Sequence, residues 1–201
     1  SQGSVAVDGR IEDAVIGAAA GQTGRLEVIG GTLETVTLDI DTVVDAIATS
    51  RTLNVENGLT LNASLSLEGV QNRTALLDFL GEQVLDGTGE IVLSRANALA
   101  AEGVLNAVRL NSISSSITET LTIGENITIR GQGRVDAERA EDMIDLKGTI
   151  RAEGGLLEID EFDLLDGTLA AAAGAELEVE QNLDMAPQGR LEVGIDATGT
   201  G

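Results

Sequence analysis

The sequence predicts an all-β fold, a right-handed parallel β-helix (β-solenoid) of roughly eight irregular coils with short helical excursions. Apolar residues occupy every second position in short phrases that are punctuated by glycine or asparagine, as in 53–61. The phrases also recur, since Arg-Leu-Glu-Val at 25–28 returns at 190–193, each time after a glycine. Their spacing is uneven, which a solenoid tolerates because its strands stack while its turns vary.

Stretches of alternating apolar and polar residues predict the strands, each with one face in a core and one in water. In chain order they are Gly24–Ile40, Thr52–Gly69, Gly89–Leu93, Gly103–Leu110, Ile117–Gly131, Gly148–Ile159, Glu176–Met185 and Arg190–Ile195. The apolar side chains of these strands are expected to stack in register inside the solenoid. Those predicted to point inward are Leu26, Val28, Leu53, Val55, Leu121, Ile123, Leu177 and Val179.

Three segments between the strands predict short excursions on the flanks of the scaffold: the first two have apolar residues at helical spacing, and the third, closed by Gly103, predicts a short capped helix or a turn. They are Asp41–Ser50, Asn72–Val84 and Ser94–Glu102. The alternative fold is an antiparallel β-sandwich, for which Asn57–Gly58 and Asp86–Gly87 offer tight hairpin turns. In either case residues 1–201 are predicted to form a single unit, and we expect a β-solenoid segment of this kind to belong to a longer repetitive chain.

The composition argues against an enzyme. The chain has no cysteine and no histidine, which removes thiolate nucleophiles, Cys/His zinc sites and imidazole bases. Only two aromatic residues occur, Phe79 and Phe162, so the stacking platforms that usually bind sugars and bases are scarce. We therefore predict no catalytic residues and no organic cofactor.

The charge balance disfavours nucleic acids and membranes as partners. Twelve basic residues stand against 34 acidic residues, a net charge of −22, and a surface of that sign repels phosphate backbones and anionic lipid headgroups. No apolar run reaches the roughly 20 residues needed to cross a bilayer, so membrane insertion is not expected. Hydrophobic residues make up 42% of the chain, enough for a core.

One acidic cluster is a candidate calcium site. Its members are Asp160, Glu161, Asp163 and Asp166, and Gly167 follows them. Calcium prefers hard oxygen ligands, but the spacing does not fit an EF-hand loop. A solvated turn is the competing interpretation. In a parallel stack, acidic side chains that line up also repel one another, and cations would relieve that repulsion.

One stretch carries a family resemblance. The segment Leu121–Gly131 (LTIGENITIRG), with Thr52–Gly69 before it and Gly148–Ile159 after it, resembles the β-helical repeats of large secreted bacterial surface proteins of the filamentous-haemagglutinin and autotransporter-passenger type. The resemblance implies a right-handed parallel β-helix, export to the cell surface or beyond, and a role in adhesion or in surface fibres. No catalytic residues come with it.

Two functions remain open. The first is a structural or adhesive module of an extracellular bacterial surface protein or filament, which associates end to end or laterally with copies of itself or with other surface components. The alternative is a β-helical enzyme or carbohydrate-binding domain that acts on polysaccharide, because paired carboxylates can hydrolyse glycosides. The scarcity of aromatic residues and the lack of histidine favour the first.

Overall fold

A computed structural model describes residues 3–70, 72–96, 105–180 and 183–195. These residues form one β-solenoid of about eight coils, and every pairing between its strands is parallel. The strands are β1 Gly3–Glu12, β2 Val15–Gly17, β3 Gly24–Asp39, β4 Thr42–Ala46, β5 Arg51–Leu61, β6 Ser64–Val70, β7 Ala75–Leu80, β8 Gln83–Gly87, β9 Glu90–Ala96, β10 Ala107–Asn111, β11 Thr120–Ile123, β12 Thr128–Ala137, β13 Met143–Leu146, β14 Thr149–Ile159, β15 Phe162–Leu165, β16 Thr168–Ala171, β17 Glu176–Val179, β18 Asp184–Met185 and β19 Arg190–Val193.

Each coil contributes strand segments to three parallel stacks. Stack A contains 3–7 of β1, 24–28 of β3, β4, β6, β9, 128–131 of β12, 149–152 of β14, β16 and β19. Stack B contains 8–12 of β1, 30–34 of β3, 51–56 of β5, β7, β10, 133–137 of β12, 156–159 of β14 and β17. Stack C contains β2, 36–39 of β3, 59–61 of β5, β8, β11, β13, β15 and β18.

The core consists of aliphatic columns that run along the solenoid. In stack A the register aligns Leu65, Ile91, Ile129, Ile150 and Leu169, one from each successive coil, and all five are fully buried. Burial of such a side chain stabilises the fold by about 1.5–3 kcal/mol. Parallel strands lie about 4.8 Å apart, so each side chain packs on those above and below.

The predicted inward residues are confirmed in the middle of the stack. Leu26, Val28, Leu53, Val55, Leu121 and Ile123 are all buried. Leu177 and Val179 are only partly buried but pack against the same core. Their strand, β17, pairs with β14 alone among the described residues, so one side of the two side chains has no neighbouring coil.

The predicted helical excursions are wrong, because the described residues contain no helix. Within Asp41–Ser50 the chain forms β4, and Ile47 is 51% exposed. Within Asn72–Val84 it forms β7 and the start of β8. Of Ser94–Glu102, residues 94–96 belong to β9, and the rest lie outside the described residues. No described segment is a helix able to span a membrane.

The alternative β-sandwich is also excluded, because its antiparallel hairpins are replaced by corners of the solenoid. Asn57 and Gly58 have φ values of +56° and +90°, the left-handed backbone that asparagine and glycine adopt most readily. They turn β5 from stack B into stack C without reversing it. Gly87, with φ +115°, stands where β8 ends.

Candidate functional site

A column of charged side chains lies on the outer face of stack B. Arg109 on β10 pairs in register with Asp78 on β7 and with Asp136 on β12. Its Nε and Nη2 donate to the two carboxylate oxygens of Asp78, at 3.0 and 2.7 Å. These hydrogen bonds raise the pKa of Arg109. Because Asp78 is buried, the two-pronged contact also supplies the hydrogen bonds that a buried carboxylate needs.

A second arginine, Arg134, bonds to a carboxylate on the coil that follows its own. Arg134 on β12 donates from Nε to Glu158 Oε2 on β14 at 3.0 Å, and its Nη2 lies 2.9 Å from the same oxygen. Its Nη1 lies 3.6 Å from Asp136 Oδ2. Arg109 thus joins β7 to β10, and Arg134 joins β12 to β14.

A groove of about 300 Å³ opens between these charged pairs. It forms where Ala107, a small outward residue, stands in register between Leu76 and Arg134. We call it the stack B groove. Its lining residues are Thr74, Leu76, Leu105, Ala107, Arg109, Arg134, Asp136 and Glu158.

Asp136 is the most perturbed acid of this groove. Its side chain is only 14% exposed, and Oδ1 is buried without a hydrogen-bond partner. Burial raises the pKa of Asp136 to about 6, Arg134 and Arg109 oppose the rise, and Asp160 and Asp78 add to it. A carboxyl group with such a pKa changes charge near neutral pH, which marks it as a candidate functional group. The sequence prediction missed it.

The predicted calcium cluster extends from the corner between stacks B and C, along β15, to the corner between stacks C and A. Asp160 follows β14, where its Oδ1 accepts a hydrogen bond from the Glu161 backbone N–H at 2.9 Å. Asp163 lies on β15, and Asp166 follows that strand with its Oδ1 buried and unpartnered. Among the residues that the structure describes, no group of three or more acidic side chains is arranged to hold a metal ion.

Like-charge ladders, which the sequence led us to expect, do form, and arginine bridges the longest of them. Glu12, Glu34 and Glu56 align in register on three successive coils of stack B. Arg10 contacts all three, with Nε 2.6 Å from Glu12 and Nη2 2.6 Å from Glu56. The hydrogen bond from Arg10 lowers the pKa of Glu34. Arg130 joins Glu90 to Glu153 in the same way.

The excess of acidic residues leads us to predict that divalent cations stabilise the protein. With a net charge of −22, we expect calcium chloride to raise the melting temperature more than sodium chloride at equal ionic strength, because a divalent ion can bridge carboxylates on neighbouring coils. Thermal melts of the full chain test this. If the predicted cluster contributes to this effect, the double variant Asp160→Asn, Glu161→Gln should reduce the excess, whereas Glu125→Gln, an exposed control, should keep it. Equal midpoints in both salts would contradict a specific site.

The chain matches no protein-family model, no curated protein and no solved structure. Its function is therefore inferred from its fold and its surface chemistry.

Proposed function

We propose that this chain is a structural or adhesive module of an extracellular bacterial surface protein or filament. The observation that carries the proposal is the continuous parallel stack: about eight coils share one core from β3 to β16. At about 4.8 Å per coil the stack is roughly 40 Å long. In such a repeat architecture each coil contacts mainly its neighbours, so the molecule acts as a spacer.

The bridges across coils support this role. Arg10 joins three successive coils, Arg109 two and Arg130 three. Each isolated surface pair is worth at most about 1 kcal/mol, but networks with fixed geometry contribute more. Phe79 and Phe162 are the aromatic members of an otherwise aliphatic hydrophobic cluster in the part of the chain that the structure describes. We propose that the chemistry of this surface serves cohesion and contact, not catalysis.

Self-association, end to end or lateral, is part of the proposal. Strand edges and exposed apolar side chains such as Val15, Leu191 and Val193 offer contacts to a second copy. Because each copy carries a net charge of −22, association should strengthen as salt rises and screens the repulsion. Sedimentation velocity of the chain across a salt series measures this. A monomer at every salt and protein concentration would contradict self-association.

The location is tested on the source cells. Antibodies raised against the folded chain, followed by immunogold labelling of intact cells, should label the outer surface or fibres that extend from it. Labelling only after the cells have been opened would overturn the proposal. Labelled fibres of regular width would favour a filament, and a diffuse outer layer would favour an adhesive coat.

A further inference from the structure

The charges of the stack B groove are already matched within the protein. Two guanidinium groups, Arg109 and Arg134, face two lining carboxylates, Asp136 and Glu158, and Asp78 adds a third behind Arg109. An anion would meet at least as much repulsion as attraction here, and the net charge of −22 adds to it. A cation would have to displace arginines from their partners. The groove therefore suits an uncharged ligand.

The lining of the groove combines two kinds of side chain. Leu76, Leu105 and Ala107 supply aliphatic surface, and the arginines and carboxylates supply charged groups. Guanidinium groups only donate hydrogen bonds and carboxylates only accept them, and here they alternate over a few ångströms. A hydroxyl group both donates and accepts. A ligand with an apolar face and a rim of hydroxyl groups matches both parts.

The size fits a small part of such a ligand. A volume of about 300 Å³ lies at the lower end of the range for small-ligand sites. Its lining residues lie on or beside three neighbouring strands, β7, β10 and β12, and Glu158 adds a fourth, β14. Aliphatic contacts replace aromatic stacking, so the affinity of a single groove should be weak.

We infer that the stack B groove binds a neutral saccharide chain and is the recognition site of the proposed adhesive module. The inference rests on that proposed function. Several copies in one filament or coat would compensate for weak single contacts through avidity.

Saturation-transfer NMR with the full chain tests the inference. The probes are hexasaccharides of one length: maltohexaose and cellohexaose as neutral chains, hexagalacturonate as the anion and the chitosan hexamer as the cation. We expect transfer to a neutral probe and none to hexagalacturonate. Transfer to neither neutral probe, or stronger transfer to hexagalacturonate, would overturn the inference; the net charge of −22 attracts the chitosan hexamer over the whole surface, so that probe counts against the inference only if its transfer exceeds that of the neutral probes and is lost in Ala107→Leu.

Two variants localise the contact. Ala107→Leu fills the groove and should weaken binding of the neutral probe by at least about tenfold, which is about 1.4 kcal/mol. Ser66→Leu makes the same kind of change on the outer face of stack A and should leave binding unchanged. Unfolding curves of both variants establish that they fold. Equal binding by folded Ala107→Leu would exclude the groove. If no saccharide binds, the groove proposal fails, but the proposal of a surface module still stands or falls with the immunogold experiment.

Discussion

Replacing Phe79 by alanine should lower the free energy of unfolding by about 3–5 kcal/mol, the usual cost of truncating a buried phenylalanine. Phe79 is fully buried and lies in register between Val55 and Leu110, one coil on either side. A rigid stack of strands closes poorly around a lost ring, so the cavity term adds to the lost burial. Urea denaturation, followed by far-ultraviolet circular dichroism, measures the change.

Val84→Ala is the matched control, since Val84 is 50% exposed on the outer face of stack C and its truncation should change the stability by about 0.5 kcal/mol at most. Because coils contact mainly their neighbours, the Phe79→Ala chain should also unfold over a broader urea range. A loss below about 1 kcal/mol with an unchanged slope would show that Phe79 does not pack between the two coils.

The fold could be predicted because its main signal is local. An alternation of period two requires only that neighbouring residues point to opposite faces, and the phrase Leu121–Ile123 or Leu53–Val55 shows it directly. The uneven coil length is absorbed by corners, where Asn57 and Gly58 take the left-handed backbone. Alternation, recurring phrases and glycine or asparagine punctuation together therefore predicted a solenoid.

The segments that were predicted as helices are strands, and the sequence could not show this because short apolar runs fit the period of a helix as well as that of a strand. Val43 and Val44 are both buried, although they are adjacent on β4, and this pairing resembles one face of a helix turn. Their β-branched side chains favour a strand, and strands on both sides, β3 and β6, supply backbone partners. Tertiary pairing therefore overrides the local spacing.

The stack B groove could not be found from the sequence because its residues come from separate coils. Asp78, Arg109 and Asp136 meet only through the register of β7, β10 and β12. That register depends on the lengths of the segments between those strands, which vary most in this part of the chain. The acidic residues of 160–166 were predicted as a site because they are neighbours in sequence, whereas no other acidic residue directly adjoins Asp136 in the sequence.

Asp136→Asn should stabilise the protein above pH 6. In the folded chain the pKa of Asp136 is raised to about 6 from 3.8, mainly by burial. Between these two values the folded state binds more protons than the unfolded state, so the stability of the wild type falls as pH rises. Above about pH 7 the carboxyl is ionised in both states, and the full free-energy cost of burying its charge lowers the stability of the wild type. Two pKa units correspond to about 2.7 kcal/mol, and partial exposure reduces the expected gain to about 2 kcal/mol.

Urea denaturation of the wild type and of Asp136→Asn from pH 3.5 to pH 8 measures the difference in their free energies of unfolding. The titration of all other groups largely cancels in this difference. The variant should come closest to the wild type near pH 3.5, where the wild-type carboxyl is mostly protonated in both states, and should exceed it by a constant amount above about pH 7, where the carboxyl is mostly ionised in both. Glu82→Gln, an exposed control, should show little difference at any pH. A loss of stability on Asp136→Asn at pH 8 would mean that the contacts of Asp136 with Arg134 and Arg109 outweigh the cost of its buried charge, and that its pKa is not raised.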